Sequence, residues 1–433
     1  MAKRMTRRRM LQTSAATGLG FWVGGTPVPA FSEKSANEKL NIAVIGIGGR
    51  GRANLNGVAR EGNIVALCDV DDQRAGDAYQ AHPKAKKYHD YRRMFDDLEK
   101  SIDAVVVSTP DHTHFHTSIA ALQLGKHLYC EKPMAHSIWE CRRMTDLARE
   151  KKVATQLGVQ RHTIPNVHRV VELIKSGAIG EVNEVHCWVG GDRGMPGEAK
   201  RFPEVPSHLK WDLWLGPTGD RKYSPAYCPY NWRFWWDFGT GETGNWGCHI
   251  LDIPFWALDL KYPTRVEGSG PPVHPEQTPT SMRTKITFPA RGKLPAVDLH
   301  WYHTKSGPEI FKKLGIEKFG NSLFIGSRGV LVTDFRDHKL YPEEKFADAV
   351  PPQAFIPNSP GFYKEWVHAA KGSNIAPTCH FDYSGPMAET VLLGNLAYRV
   401  GEAFDWDAEN LKASSAKAQA HIRKSYRKGW DIS

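Results

Sequence analysis

Between residues 40 and 161, short apolar runs alternate with stretches whose apolar positions recur at helical spacing. Residues 40–46, 64–68, 103–108, 127–130 and 153–158 read as strands, brief and largely apolar, as strands covered on both faces are. Residues 49–60, 114–124 and 138–151 read as helices between them. This alternation predicts an α/β domain whose parallel sheet carries helices on both faces. A helix over 167–176 follows, and then a β-rich region with strands at 184–189, 284–288 and 297–302. The chain thus divides into a polar linker (31–39), a first domain (40–161) and a second, α+β domain (162–433). Proline-rich loops fall at 268–280 and 350–360, and no internal repeat is present.

The first predicted strand ends in Gly46-Ile47-Gly48-Gly49-Arg50-Gly51, a G-x-G-x-x-G run that opens a helix. There Gly46 permits a tight turn, Gly48 lets backbone approach a pyrophosphate, and Gly51 lets helix and sheet pack closely. The helix N-terminus faces the phosphates, with Gly49 and Arg50 in the same turn. Asp69 closes the second strand, where a carboxylate binds the adenosine ribose diol. The pattern predicts a Rossmann dinucleotide-binding domain. An acid at 69 repels a 2′-phosphate, and Val70-Asp71-Asp72 brings no arginine, so NAD is expected rather than NADP.

Two further strand ends carry Ser108-Thr109-Pro110-Asp111-His112-Thr113-His114 and Glu131-Lys132-Pro133. Ligands of open parallel sheets bind beyond the carboxyl ends of strands, so both motifs are expected at the nicotinamide end of the cleft. With these residues the chain resembles the glucose–fructose oxidoreductase/inositol dehydrogenase (Gfo/Idh/MocA) family. The resemblance implies an open, mostly antiparallel sheet in the second domain and dimers or tetramers built through it. It also places the lysine of the E-K-P motif, here Lys132, beside nicotinamide and substrate, where an ammonium stabilises alkoxide character. Thr109, Pro110, Glu131 and Gln160 are expected along the cofactor, and His114 is expected to pack near the nicotinamide. The spacing of His112, His114 and His116 invites a metal, but the run opens a helix at the cofactor cleft, and no metal is expected.

Seven of the 14 tryptophans lie between Trp211 and Trp256, most of them expected in the core. Asn231-Trp232-Arg233-Phe234-Trp235-Trp236-Asp237 is aromatic and polar at once, and flat rings beside charged groups suit a sugar. Trp232, Arg233, Arg161 and Asp252 are the expected substrate contacts. The segment Gly239-Thr240-Gly241-Glu242-Thr243-Gly244-Asn245-Trp246-Gly247-Cys248-His249 is similar to the family's glycine-rich segment, whose histidine is the acid/base; this maps to His249. A helix beginning near Asn245 would place His249 about a turn in, where the dipole favours neutral imidazole. The chain departs from the family at Asn245, which stands where an aspartate is usual. Asn245 can orient the histidine but supplies no charge, and Asp252 or Asp237 could substitute.

Composition sets the compartment rather than the chemistry. The chain has 57 Lys+Arg against 47 Asp+Glu, a formal +10, which invites a nucleic-acid reading. Five of those charges are Lys3, Arg4, Arg7, Arg8 and Arg9, and residues 1–30 hold no acid. A basic start with paired arginines, a weakly apolar stretch over 14–23 and Val28-Pro29-Ala30 reads as a twin-arginine export signal. Without it no basic block remains, so nucleic acid is not an expected partner. No run reaches the roughly 18 apolar residues that span a bilayer. The seven cysteines lack a CxxC pair, and no disulfide framework is expected. Export has a consequence: there is no nicotinamide pool outside, so the cofactor must stay bound. Three functions follow: a sugar or cyclic-polyol oxidoreductase with retained NAD, a redox-neutral glycosidase working by transient oxidation and elimination, or a non-catalytic NAD or sugar sensor.

Overall fold

The computed structural model describes residues 38–432. The export-signal reading of residues 1–30 and most of the 31–39 linker therefore lie outside the described residues. Six parallel strands form the first sheet: β1 (Asn41–Ile45), β2 (Asn63–Cys68), β3 (Lys86–Tyr88), β4 (Ala104–Val107), β5 (His127–Cys130) and β6 (Thr155–Leu157). Their order is β3-β2-β1-β4-β5-β6. The four residues of β4 are all 0% exposed, the mark of a strand covered on both faces. Each valine there contributes on the order of 1.5–3 kcal/mol of burial. The strand order reverses between β1 and β4, which opens a crevice beyond their carboxyl ends. Helix starts are set locally. Asp71 accepts from the backbone of Gln73 and Arg74 to begin Asp72–Ala81, and a Ser137–Glu140 capping box begins Ile138–Lys151.

The second sheet has nine strands: β7 (Val182–Val189), β8 (Arg265–Ser269), β9 (Met282–Phe288), β10 (Val297–His303), β11 (Ser322–Gly326), β12 (Gly329–Thr333), β13 (His338–Tyr341), β14 (Phe404–Asp407) and β15 (Lys412–Ala413). Their order is β13-β12-β11-β7-β10-β9-β8-β14-β15. Only β7 and β10 run parallel; the other pairings are antiparallel. The expected fold class is the observed one. In β10 buried and half-buried residues alternate strictly, so one face of this sheet is packed and the other open. The packed face lies against the long helices Gly241–Ala257 and Phe381–Val400. The second of these also packs on Ile138–Lys151, and Tyr363 Oη donates to Asn54 at 2.8 Å, so the C-terminal part of the chain returns to the first domain. All seven cysteines are buried free thiols.

Candidate active site

One cavity of about 640 Å³ lies at the β1/β4 crevice, walled by the strand-end loops on one side and by parts of residues 209–249 on the other. At its floor Gly46 has φ +79°, and a Cβ there would stand 2.7 Å from the Ser108 carbonyl carbon. A Cβ on Gly51 would meet the Gly46 oxygen at 1.9 Å, so this helix packs on the turn only as glycine. Asp69 closes β2 with its carboxylate cradled by the backbone N–H groups of Ile47 (2.8 Å) and Asp71 (3.0 Å). Burial raises its pKa, while those two N–H groups oppose the rise. A bare glycine turn beside this carboxylate, with the buried Thr109 hydroxyl left without a partner, fits a dinucleotide. Arg74, missed in the sequence because it lies a helical turn beyond Asp69, lays its guanidinium along the same turn. Its Nε is 2.9 Å from where a Gly48 Cβ would be.

The outer wall is docked to the first domain. Lys210 N donates to the Val70 carbonyl (2.8 Å), Asp72 N to the His208 carbonyl (3.0 Å), and His208 Nδ1 lies 2.9 Å from Asp71 Oδ1. Behind this wall Trp211, Trp214, Tyr227, Trp235 and Phe238 form a core of their own, so most of the tryptophan cluster is packing. Trp232 and Trp214 reach the cavity.

Lys132 and its surroundings form the part of the cavity where the nicotinamide is expected. Lys132 Nζ donates to the Asn245 carbonyl oxygen (2.7 Å) and to Asn245 Oδ1 (2.9 Å), and burial lowers its pKa. His249 also lines the cavity. Its Nδ1 is buried without a partner, and burial together with Lys132, Arg161 and Arg50 drives its pKa well below the ordinary imidazole range. The helix carrying Asn245 and His249 begins at Gly241, four residues before the expected start, so His249 lies two turns in. Desolvation and neighbouring cations, rather than the helix dipole, keep it neutral.

Glu131, Gln160 and Arg50 line the cavity but are committed to one another. Glu131 Oε1 accepts from Arg50 Nε (3.2 Å), Asn54 Nδ2 (3.0 Å) and Gln160 Nε2 (2.6 Å), while Oε2 accepts from the Lys132 backbone N–H (3.2 Å). This hub positions Lys132. Arg161 lies over Phe335 (4.3 Å) and Trp246 (5.2 Å), and Arg233 over Trp232 (4.3 Å) and Tyr230 (4.6 Å). Among the described residues neither forms a salt bridge, and both line the cavity with Pro110.

Two expected contacts fall elsewhere. Asp252 is 1% exposed and outside the cavity lining, because three residues beyond His249 the helix turns it away, onto His162 Nδ1 (2.9 Å) and Tyr383 Oη (2.7 Å). His114 sits behind the strand-end loops rather than on the cofactor side. Its ring nitrogens face the carbonyl oxygens of Pro133 (2.8 Å) and Thr109 (2.7 Å). Only the doubly protonated ring donates to both. Burial opposes that charge, but Cys130, Asp111 and the Pro133 carbonyl raise the pKa to about 9. His112 turns to the carbonyls of Phe238 and Trp214, and His116 to that of Trp430, so the three histidines diverge. Asp237 pairs with Arg221 at 2.7 Å, so it does not stand in for the missing aspartate either. The carboxylate that touches Asn245 is Glu242, at 3.3 Å from Nδ2, which no sequence pattern marks.

Residues 40–159 match the family described as "Oxidoreductase family, NAD-binding Rossmann fold", and residues 167–294 match "Oxidoreductase family, C-terminal alpha/beta domain". The inositol 2-dehydrogenase of Salmonella paratyphi B is 30% identical over 152 residues, which are 34% of this chain and 45% of that protein. A glycosyl hydrolase family 109 protein of Solibacter usitatus is 33% identical over 246 residues, 49% and 53% of the two chains. The chain thus spans about half the length of these curated relatives. The WlbA dehydrogenase of Bordetella pertussis, solved with NADH and UDP-GlcNAcA, shares the fold with a TM-score of 0.61 at 16% identity, over 86% of this chain and 99% of that one. With both of its domains matched in order, the chain belongs to the Gfo/Idh/MocA oxidoreductase family.

Proposed function

We propose that this protein is an exported NAD-dependent oxidoreductase acting on a hydroxyl of a sugar, glycoside or cyclic polyol, with its cofactor retained through the catalytic cycle. The observation that carries the reading is Lys132 and His249 facing one cavity beside a glycine turn and a cradled Asp69. Nicotinamide, when bound, supplies the hydride acceptor. Lys132 has three N–H donors; Asn245 takes two, and the third is left for the substrate oxygen, where it stabilises alkoxide character. His249, neutral and with Nδ1 buried, offers Nε2 to the hydroxyl proton. Arg161 and Arg233, held by rings rather than by salt bridges, keep guanidinium N–H groups for substrate oxygens, and Trp232 offers a face to sugar C–H groups. The docked wall around His208 supports retention, and Asp69 supports NAD over NADP. The paired arginines at residues 7–9 support export, and the open face of the second sheet supports a homo-oligomer.

The likeness to a glycosyl hydrolase family 109 protein favours a second reading, in which the same oxidation is transient and a glycosidic bond is eliminated. A panel of sugars, polyols and nitrophenyl glycosides given to the NAD-loaded protein separates the two. Net reduction of nicotinamide by a free sugar or polyol supports the first, and aglycone release without net reduction the second. Lys132→Met is expected to lower either activity by about 10²–10³-fold. Full activity in that variant would refute both.

A further inference from the structure

Asn245 stands where the family usually has an aspartate, and its amide is bonded at both ends. Oδ1 accepts from the Lys132 ammonium (2.9 Å), and Nδ2 faces Glu242 Oε2 (3.3 Å). The other Glu242 oxygen, Oε1, accepts from Arg193 Nε (3.0 Å), and Arg193 also donates to Tyr230 Oη (2.8 Å) at the cavity rim. Glu242 is 3% exposed. A buried carboxylate needs both of its oxygens bonded.

The polarity of this row is fixed. An ammonium and a guanidinium only donate, and a carboxylate only accepts, so the residue between Lys132 and Glu242 must accept on one side and donate on the other. An amide meets that requirement and an ionised carboxylate does not. We infer that Glu242 is a positioning residue for Lys132, acting through Asn245, and that the acid at 242 and the amide at 245 form a matched pair. Restoring aspartate at 245 alone would set two carboxylates about as close as the amide nitrogen and Oε2 now stand, and like charges so placed cannot both ionise. Glu242→Gln fails for the complementary reason. Its single carbonyl oxygen serves either Arg193 or Asn245, and serving Arg193 turns its NH₂ on Asn245, which must then rotate its own NH₂ toward Lys132. In the double variant the polarity closes again, because a carboxylate at position 245 accepts both from Lys132 and from an amide at position 242.

The inference rests on the proposed role of Lys132, but its test needs no substrate. The rate of acetic anhydride modification of Lys132 is followed against pH by mass spectrometry in the full-length native chain, E242Q, N245D and E242Q/N245D. E242Q is expected to move the Lys132 midpoint down by about one pH unit, because the ammonium loses an acceptor. The double variant is expected to bring it back to the native midpoint or above, because the carboxylate at 245 then touches the ammonium directly. Should E242Q not fold, N245D carries the test: at neutral pH it is expected to bind about one proton more than the native chain in a potentiometric titration, the proton shared by two carboxyls. An unmoved Lys132 midpoint in folded E242Q, a double variant whose midpoint is no higher than that of E242Q, or no extra proton in N245D would overturn the pairing. If the row behaves as described but no sugar or glycoside reacts, the proposed activity fails and the pairing stands.

Discussion

His249 and Lys132 carry pKa shifts in the same direction, and on the proposed mechanism together they set the pH dependence of turnover. Burial and three cations hold His249 well below its ordinary 6.5, so it stays a neutral proton acceptor through mildly acidic solution. Burial also lowers Lys132 from its ordinary 10.5, so the ammonium is lost earlier on the alkaline side. The log of kcat/KM is therefore expected to be flat through pH 6.5 and to fall on an alkaline limb below 10.5, a limb that E242Q moves further down. A limb centred near 6.5 would contradict the assignment of His249. His114 shifts the other way, to about 9 from 6.5. A raised folded pKa gives stability that is full below the unfolded value and is lost as pH rises through the folded one. The gap in thermal midpoint between the native chain and His114→Gln is expected to be widest below pH 6.5 and to close as pH passes 9. A gap independent of pH would show that the Thr109 and Pro133 carbonyls do not hold an imidazolium.

At the scale of elements, what was legible in the sequence was whatever depends on local pattern. The strands β1, β2, β4 and β5 are short and largely apolar, and the glycine turn, Asp69 and Lys132 sit at their ends, so topology delivered the site. Strand β3 (Lys-Lys-Tyr) was not legible, because an edge strand exposed on one side carries no apolar run. Strands β11 to β13 are no shorter than β4, and they were missed because no alternation with helices and no ligand-binding turn marks them out. Glu242 and Arg74 were missed because their roles depend on which helix face meets the cavity, a question that only tertiary packing decides. Asp252 was misplaced in the same way: one turn beyond His249 the helix is packed over by His162 and Tyr383, which take up its carboxylate. The wall over the nucleotide pocket is likewise a tertiary device: His208 and Lys210 join it to the end of β2 from far along the chain. Its contribution to retention is checked by the NAD dissociation rate of His208→Ala in stopped flow. Loss of one hydrogen bond to a carboxylate of about 1.5–3 kcal/mol corresponds to a rise of roughly 10–150-fold; an unchanged rate would remove the wall from the account of retention.

The whole molecule is a two-sheet protein whose long helix Phe381–Val400 holds both sheets, so the cavity between them is defined by packing as well as by loops. No helix among the described residues is long and apolar enough to cross a membrane. The formal +10 with which the sequence invites nucleic acid is half contributed by residues 1–30, and around the cavity Arg50 is paired with Glu131 and Arg193 with Glu242, while Arg161 and Arg233 lie over aromatic rings. On the proposed function, what unites these features is a nicotinamide that stays in place while a carbohydrate hydroxyl is brought to Lys132 and His249. The absorbance spectrum of the folded protein, after exhaustive desalting and then on addition of the sugar found reactive in the panel, tests that most directly. The account predicts close to one nicotinamide per chain surviving desalting, and a reduced-nicotinamide band that rises with the sugar and is absent in Lys132→Met. A protein that emerges free of nucleotide and binds none when NAD is supplied would contradict it.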